Sequence, residues 1–284
     1  MKISYSRLNH FRSCPRLYYW RFVQNLVPKK DPVPLIVGRA AHLGLAAHYS
    51  SQAAEQFIEA HFEEARKQAP WLQEELEDLA RQERYVKFII TEYKKRWATE
   101  PWTMLAPEVQ GSIPLGDHEF YFRTDGLISW RAKPWLLEHK TTSQMGTMFF
   151  KKFRMDGQIT TYIYCVWKKL DTRPVGALIN AIWKSKKLDR TDFARDVVMR
   201  SQEQLEEFMD QVLLQLDELS ELESIAPNNK HPWTMHTNQC VAWNRTCDYL
   251  ELCHKETPGL RDLFIQRPPD YVDLGNVEVV GGGR

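Results

Sequence analysis

With 284 residues, 43% of them hydrophobic and 12% aromatic, the chain can bury a substantial core in one large domain or two small ones. Its 38 Lys and Arg residues nearly balance its 37 Asp and Glu residues, so the total charge identifies no partner. The absence of a membrane-span window, a signal peptide, a P-loop and a Gly-x-Gly-x-x-Gly motif excludes a membrane protein or a nucleotide-driven motor and predicts a cytoplasmic location.

The N-terminal residues 4–24 predict a helix that Pro15 divides into two pieces near Cys14. Positive charge is concentrated between residues 7 and 39, where seven cations face the single anion Asp31. The cations are Arg7, Arg12, Arg16, Arg21, Lys29, Lys30 and Arg39. A basic stretch with interleaved Tyr and Trp is typical of a nucleic-acid-binding surface, although a solvated helix face has the same composition.

A helix rich in small residues follows, and it carries His42 among apolar positions. A lone His in such a setting more often completes a core than binds a ligand, but imidazole is also a common metal ligand. Residues 52–68 and 71–98 then show helical periodicity with dense, mixed charges. Such charges are typical of the solvated faces of scaffold helices.

From Met104 onward the pattern changes to strands, at Val109–Leu115, Glu119–Ile128 and residues 134–140. Their short connections predict antiparallel hairpins. Asp125 lies inside the second of these runs, where a buried carboxylate needs a cation or several hydrogen-bond donors. The alternative is an ordinary Asp-Gly turn, but we expect residues 127 and 128 to continue the strand directly.

The third strand ends in Glu138, His139 and Lys140, directly after the apolar run Trp135–Leu137. Because alternate residues of a strand point to the same face, Glu138 and Lys140 project together from the end of a buried element. The pair suits a metal ligand beside a charge stabiliser. It equally suits a surface ion pair, which contributes little to stability.

Residues 147–169 predict an amphipathic, aromatic-rich helix. Gln158 and Tyr162 are four residues apart and share one face of this helix, although Tyr162 also fits ordinary core packing. Further predicted elements are a strand at Val175–Trp183, a strand at Phe193–Met199 and a helix at Glu203–Leu219.

Three cysteines lie close together near the C-terminus, in the pattern Cys240-x6-Cys247-x5-Cys253. Disulfides are rare in a reducing compartment, so the thiols indicate ligands of a metal or a cluster. A fourth ligand would have to be Cys14 or Cys165, and Cys165 lies on the apolar face of a predicted helix and fits the core. The paired two-residue spacing of structural zinc sites is absent, and the spacing leaves iron–sulfur and zinc both open.

Taken in order, these residues resemble the RecB-family nucleases of the PD-(D/E)xK superfamily, in the iron–sulfur-containing branch that includes the AddB nuclease domain and CRISPR-associated adaptation nucleases. The matching positions are Ser6-Arg7-Leu8, Phe11, Cys14-Pro15, Tyr18, Gly38, His42, Asp125, Glu138-His139-Lys140, Gln158, Tyr162 and the three C-terminal cysteines. One departure is Thr124, which occupies the position of the Pro in the family's name.

The resemblance implies an α/β fold with a restriction-endonuclease-like core, in which helices flank a central mixed sheet. An N-terminal helical region and a C-terminal Cys-rich segment would accompany this core. The implied organisation is a single nuclease domain over residues 1–265, followed by a tail over residues 266–284. Within the domain, a helical region would span residues 1–100, the catalytic sheet core residues 101–200, and a C-terminal helix with the Cys-rich segment residues 201–265.

The resemblance also implies a Mg²⁺ or Mn²⁺ site held by Asp125 and Glu138, hard oxygen ligands that suit these cations. His42 and the backbone carbonyl of His139 would complete the ligands, and Glu108 is a further candidate. Lys140 would orient the attacking water and stabilise charge on the phosphate. In the adjacent helix, Gln158 and Tyr162 would contact the DNA backbone or brace the site.

A second implied site is a 4Fe–4S cluster, with Zn²⁺ as the alternative, that ties the N-terminal helix to the C-terminal segment. Its ligands would be Cys14, Cys240, Cys247 and Cys253. The basic N-terminal region would bind DNA through Arg7, Arg12, Arg16 and Arg39.

The implied function is a metal-dependent DNA exonuclease in recombination, repair or phage DNA processing. It would act on ends or single strands, because no separate sequence-reading module is present. The alternatives are a CRISPR adaptation nuclease that trims spacer precursors, a non-catalytic DNA-binding subunit on the same fold, and a zinc-stabilised protein of unrelated function. The implied partner is DNA, without nucleotide or membrane, in a bacterium or a phage-infected host cell, and a recombination or helicase partner protein is compatible with the resemblance.

Overall fold

A computed structural model of the protein describes residues 1–242, 245–255 and 259–267. These residues form two compact units. The first unit contains Met1–Lys29, Ser112–Phe122 and the described residues from Glu207 onward, and the second contains Lys30–Gly111 and Arg123–Glu206. The predicted single domain over residues 1–265 stays a prediction. Of the predicted tail over residues 266–284, the part from residue 268 onward lies outside the described residues.

The helices and strands follow one another in a mixed order along the chain. The α-helices are α1 (Tyr5–Ser13), α2 (Pro15–Tyr18), α3 (Val33–Tyr49), α4 (Ala54–Lys67), α5 (Gln73–Arg96), α6 (Thr147–Lys151), α7 (Gly157–Leu170), α8 (Gln202–Ile225) and α9 (Leu250–His254). The strands are β1 (Lys2–Ser4), β2 (Leu26–Pro28), β3 (Thr103–Ala106), β4 (Val109–Leu115), β5 (His118–Thr124), β6 (Gly126–Trp130), β7 (Lys133–Thr142), β8 (Gly176–Lys184), β9 (Thr191–Met199), β10 (Val241–Ala242), β11 (Arg245–Thr246) and β12 (Phe264–Gln266). None of the described helices is long and apolar enough to cross a membrane.

The second unit is built on a five-stranded sheet in the order β3-β6-β7-β8-β9. β7 and β8 run parallel, and every other neighbouring pair is antiparallel. Parallel neighbours need a crossover connection, which α7 supplies between β7 and β8. The predicted central mixed sheet flanked by helices is therefore confirmed.

A helical layer of α3, α4 and α5 forms the main core of the second unit. Its buried side chains include Ile36, Ile58, Phe62 and Ile89, and Ile182 of β8 belongs to the same core. The apolar positions recur at helical spacing along each helix, so burying this face stabilises the layer. The scaffold role predicted for residues 52–68 and 71–98 agrees with this packing.

The first unit begins with β1, which pairs in parallel with β5 through Lys2–Ser4 and Glu119–Tyr121. The Ser4 side chain accepts a hydrogen bond from the Arg7 backbone and caps α1. Cys14 then adopts an extended conformation, and Pro15 starts α2 as its first residue. The predicted break of the N-terminal helix near Cys14 is confirmed.

Two predicted elements are divided in the structure. The strand predicted over Glu119–Ile128 is two strands, because β5 pairs with β1 and β4 whereas β6 pairs with β7 and β3. The helix predicted over residues 147–169 is α6, a 3₁₀ turn at Lys152–Met155 and α7. In both cases an Asp stands at the division, Asp125 in the first and Asp156, which caps α7, in the second.

Candidate functional site

β7 supplies the centre of the candidate site within the second unit. Its residues from Trp135 to His139 are all buried, and Lys140 is half-buried where the strand becomes more exposed. In the parallel pairing with β8, Glu138 lies beside Ile179 and Lys140 beside Ala181. The apolar neighbours fix the strand, so its polar end is held in one register.

Asp125 lies immediately before β6, and both of its carboxylate oxygens have partners. Oδ1 accepts a hydrogen bond from His42 Nδ1 at 2.9 Å, and Oδ2 accepts one from the His139 backbone N–H at 2.8 Å. Burial alone would raise the pKa of Asp125, but the charge of His42 lowers it well below its usual value. Asp125 is therefore a charged carboxylate, and His42 of α3 belongs to the same cluster.

Glu138 and Lys140 form an ion pair, with 2.7 Å between Lys140 Nζ and Glu138 Oε1. Lys140 Nζ also donates to Gln158 Oε1 at 2.7 Å, and Gln158 Nε2 donates to the Tyr162 hydroxyl at 3.0 Å. α7 thus continues a polar chain that begins on β7. The structure brings these four predicted residues together in one row.

One oxygen of this row has no partner. Glu138 Oε2 is buried and accepts no hydrogen bond. Burial raises the pKa of Glu138 to about 7, although the charge of Lys140 opposes this shift. A buried carboxylate oxygen without a donor is costly, and a bound cation would satisfy it.

His139 turns its side chain into a buried polar cluster. Asn180 Nδ2 donates to His139 Nδ1 at 2.8 Å, and the Tyr49 ring stacks on the imidazole with 5.9 Å between centroids. Burial lowers the pKa of His139 to about 3. The imidazole ring of His139 is therefore neutral. His139 contributes to the predicted site through its backbone groups.

Behind His139, Asn180 joins a set of side chains that the sequence interpretation did not single out. Arg195 donates to Asn180 Oδ1 at 3.1 Å and pairs with both Glu100 oxygens at 2.6 and 2.8 Å. Tyr93 accepts from Asn180 at 3.1 Å and from Arg195 at 2.9 Å. One signal was present, since Asn180 is the polar residue in the middle of the apolar strand β8.

The residues fit a hard divalent cation. Asp125 and Glu138 offer carboxylate oxygens, the His139 carbonyl is a further oxygen donor, and Mg²⁺ and Mn²⁺ prefer such ligands. The unpaired Glu138 Oε2 is the observation that supports this fit. Glu108 lies within electrostatic range of Asp125, and burial raises its pKa. Among the described residues, no three His, Cys, Asp or Glu side chains already form a complete metal-binding group.

In the first unit, Cys14, Cys240, Cys247 and Cys253 line one small cavity of about 20 Å³. All four are free thiols. The His236 backbone N–H donates to Cys14 Sγ at 3.4 Å, and Trp20 Nε1 donates to Cys253 Sγ at 3.3 Å. Cys165 is completely buried in α7, which confirms its predicted place in the core.

The four arginines predicted to bind DNA all have partners within their own units. Arg7 pairs with Glu223 at 2.8 Å, and Arg12 donates to Gln215. Arg16 is buried and donates to the Trp233 carbonyl at 2.9 Å, and Arg39 pairs with Asp31 at 2.6 Å. These guanidinium groups stabilise the fold, and their contact with DNA stays a prediction.

Comparison with known proteins gives a family match and a match of fold. The family model of the PD-(D/E)XK nuclease superfamily matches residues 2–254. A crystal structure of a "Putative exonuclease" from Eubacterium rectale is 12% identical, with a TM-score of 0.50, and the match covers 78% of this chain and 81% of that one. The structure of SSO0001 is 13% identical over 70% of this chain and 79% of that one, but its TM-score of 0.29 is too low to show a shared fold. Comparison with curated proteins gives no match.

Proposed function

The chain belongs to the PD-(D/E)XK nuclease superfamily, and we propose that it hydrolyses DNA phosphodiester bonds with Mg²⁺ or Mn²⁺ held by Asp125 and Glu138. The observation that carries the proposal is the polar row on β7 and α7, whose Glu138 is buried. In it a lysine links one glutamate oxygen to Gln158, and the other glutamate oxygen has no partner. Carboxyl groups whose pKa is shifted by burial beside a specific charge partner cluster at functional sites, which supports a catalytic role for this row.

The ligands would be Asp125, Glu138, the backbone carbonyl of His139 and His42, whose Nδ1 also positions Asp125 through its hydrogen bond. When bound, the metal ion lowers the pKa of its water and acts as a Lewis acid on the phosphate. Asp125 is already charged and oriented by two donors. The protein therefore presents one fixed carboxylate and one, Glu138, that loses its proton near neutral pH.

Lys140 would orient the attacking water and stabilise the negative charge that develops on the phosphate. Its ammonium group is held between Glu138 and Gln158, so little reorganisation is needed during the reaction. Tyr162 accepts a hydrogen bond from Gln158 and so orients the amide that holds Lys140. Lys140 would touch the reacting atoms, whereas Gln158 and Tyr162 would act through it or on the DNA backbone.

Several finer features of the proposal follow the family resemblance. The enzyme would be an exonuclease that acts on DNA ends or single strands, in the iron–sulfur branch of the family. Cys14, Cys240, Cys247 and Cys253 would hold a 4Fe–4S cluster, and their shared cavity supports this assignment. Hydrogen bonds to cysteine sulfur help to set the reduction potential of such clusters. Cys14 Sγ and Cys253 Sγ each accept one hydrogen bond.

Cleavage of end-labelled linear DNA tests the nuclease proposal. We expect single- or double-stranded DNA to be degraded with Mg²⁺ or Mn²⁺, and degradation to stop when a chelator is added. Lys140→Ala should lower the rate on the order of 100-fold or more, because it removes one preorganised charge stabiliser. The matched control is Lys133→Ala, which removes an exposed lysine at the start of the same strand and should leave the rate unchanged.

Two results would contradict the proposal. Cleavage that continues undiminished in chelator would show that no divalent cation is needed, and equal rates for Lys140→Ala and the wild type would remove Lys140 from the chemistry. Circular dichroism spectra of both variants, compared with that of the wild type, show whether a lower cleavage rate results from unfolding.

A further inference from the structure

The connection between β7 and α7 is an exposed segment with an unusual composition. Residues 145–155, which we call the crossover segment, contain Lys151, Lys152 and Arg154 but no Asp or Glu. The segment also contains three phenylalanines. Met148 and Met155 are 74% and 84% exposed. A basic, aromatic and exposed surface is complementary to a chain of phosphates and flat rings.

Buried contacts anchor this segment to the second unit. The Phe153 side chain is buried, and its carbonyl accepts a hydrogen bond from Arg200 Nη2 at 2.9 Å. At the end of the segment, Asp156 accepts from the Ile159 backbone N–H at 3.0 Å and caps α7. The exposed side chains therefore project from a backbone that is already held in place.

A cavity of about 480 Å³ borders the segment. Phe150, Lys151 and Arg154 of the segment line it, together with Ala194 and Asp196 of β9. Small-molecule sites commonly have volumes of about 300–1,000 Å³ and combine an apolar wall with a few polar groups. An aromatic ring beside two cations offers a nucleotide both a stacking surface and phosphate contacts.

The crossover segment is continuous with the candidate active site. β7, which precedes it, carries Glu138 and Lys140, and α7, which follows it, carries Gln158 and Tyr162. Lys152 is close enough to Lys140 for the charge of Lys140 to lower its pKa, in addition to the larger effect of burial. A strand bound along this segment would therefore lead to the catalytic carboxylates.

We propose that the crossover segment binds single-stranded DNA, taking one unpaired base into the cavity against Phe150 while Lys151 and Arg154 contact the neighbouring phosphates. In a duplex each base is stacked and paired, so only an unpaired base can enter the cavity. The inference rests on the proposed nuclease function and adds to it the site that receives the substrate strand.

Fluorescence anisotropy with a labelled single strand and a duplex of equal length, both in chelator to prevent cleavage, tests the inference. Phe150→Ala and Phe150→Leu should each weaken single-strand binding about fivefold or more through lost stacking, whereas Phe150→Trp should retain it. Lys151→Ala/Arg154→Ala should weaken single-strand binding and reduce the slope of log affinity against log salt by about 1.4, two phosphate contacts at about 0.7 each.

The matched control is Lys94→Ala/Lys95→Ala, which removes two exposed cations from the last turn of α5. Single-strand binding by this control should be unchanged. The inference is overturned if the Phe150 and Lys151/Arg154 variants bind single strands like the wild type, or if the control loses as much affinity as they do.

The same set of proteins separates this inference from the nuclease proposal. A wild type that binds single strands through Phe150 but hydrolyses no DNA with Mg²⁺ or Mn²⁺ contradicts the nuclease proposal and upholds the binding site. If the wild type hydrolyses DNA but the Phe150 and Lys151/Arg154 variants bind single strands as tightly as the wild type, only the proposed binding site is contradicted.

Discussion

The two carboxyl groups of the candidate site have pKa values that are shifted in opposite directions. Burial raises the pKa of Glu138 to about 7, whereas the charge of His42 overcomes burial and lowers the pKa of Asp125. At neutral pH Asp125 is therefore charged while Glu138 exchanges its proton. Because a metal ligand must be deprotonated, Glu138 controls the pH at which the site can bind a cation.

We expect the affinity for Mn²⁺ to rise with pH, by about tenfold between about pH 6 and pH 8, as the Glu138 carboxyl group loses its proton. Because the pKa of Glu138 is raised, its protonated form, which does not bind metal, persists up to neutral pH. The affinity for Mn²⁺ therefore increases as the pH rises through this pKa. Isothermal titration calorimetry at a series of pH values measures it.

Glu138→Gln separates the proton loss of Glu138 from that of His42. Burial lowers the pKa of His42, but the charge of Asp125 overcomes burial and raises it. The variant should bind Mn²⁺ weakly and lose most of the pH dependence. A full pH dependence in the variant would assign the proton to His42, and a constant affinity in the wild type would contradict the role of Glu138.

The site could be predicted from the sequence only where its residues follow one another in a recognisable order. Asp125, Glu138 and Lys140 were predicted because of that order and because strand periodicity places Glu138 and Lys140 on one face. Asn180 and Arg195 were missed because their hydrogen bonds join neighbouring strands, and a single sequence does not show the register between β8 and β9.

At the scale of elements, sequence patterns gave the type of most helices and strands but missed their divisions. Asp125 lies between β5 and β6, which pair in different sheets, and the apolar pattern continues across it. Asp156 similarly separates a 3₁₀ turn from α7. Such breaks depend on which partner a strand or helix finds in the fold, and local periodicity carries no information about that.

The hairpin between β6 and β7 has a two-residue turn, Arg131-Ala132, between the paired residues Trp130 and Lys133. Both turn residues have positive φ, at 53° and 56°. This conformation costs an alanine roughly 1 kcal/mol, whereas glycine adopts it freely. Ala132→Gly should therefore raise the free energy of unfolding by about 1 kcal/mol, measured by urea denaturation.

The matched control is Ala60→Gly, at an exposed position inside α4. The same substitution should there lower the free energy of unfolding by about 1 kcal/mol, because glycine is unfavourable within a helix. Equal effects at both positions would show that the positive φ of Ala132 stores no strain.

At the scale of the whole molecule, four cysteines connect sequence positions that are far apart. Cys14 lies near the N-terminus and Cys240, Cys247 and Cys253 lie near the other end of the described chain, yet they line one cavity of the first unit. Closing a loop of this length has an entropic cost, which a bound cluster would offset.

If the cysteines bind a 4Fe–4S cluster, anaerobically purified protein should be brown and contain iron, and Cys14→Ser should lose most of the iron and unfold at a lower temperature. Cys165→Ala is the matched control, since Cys165 is buried in the second unit and should leave the iron content unchanged. Zinc in place of iron would assign the site to structural zinc, and equal iron in both variants would exclude Cys14 as a ligand.

The interleaving of the two units has a consequence for synthesis on the ribosome. The second unit draws its residues from positions 30–206, so all of its strands have been synthesised before α8 is finished. In the first unit, by contrast, Arg16 bonds to the carbonyl of Trp233 and β2 pairs with β12. Arg16 and β2 must therefore wait until Trp233 and β12 have been translated. The sheet with the candidate active site is complete by then, while α2 and β2 still lack these partners.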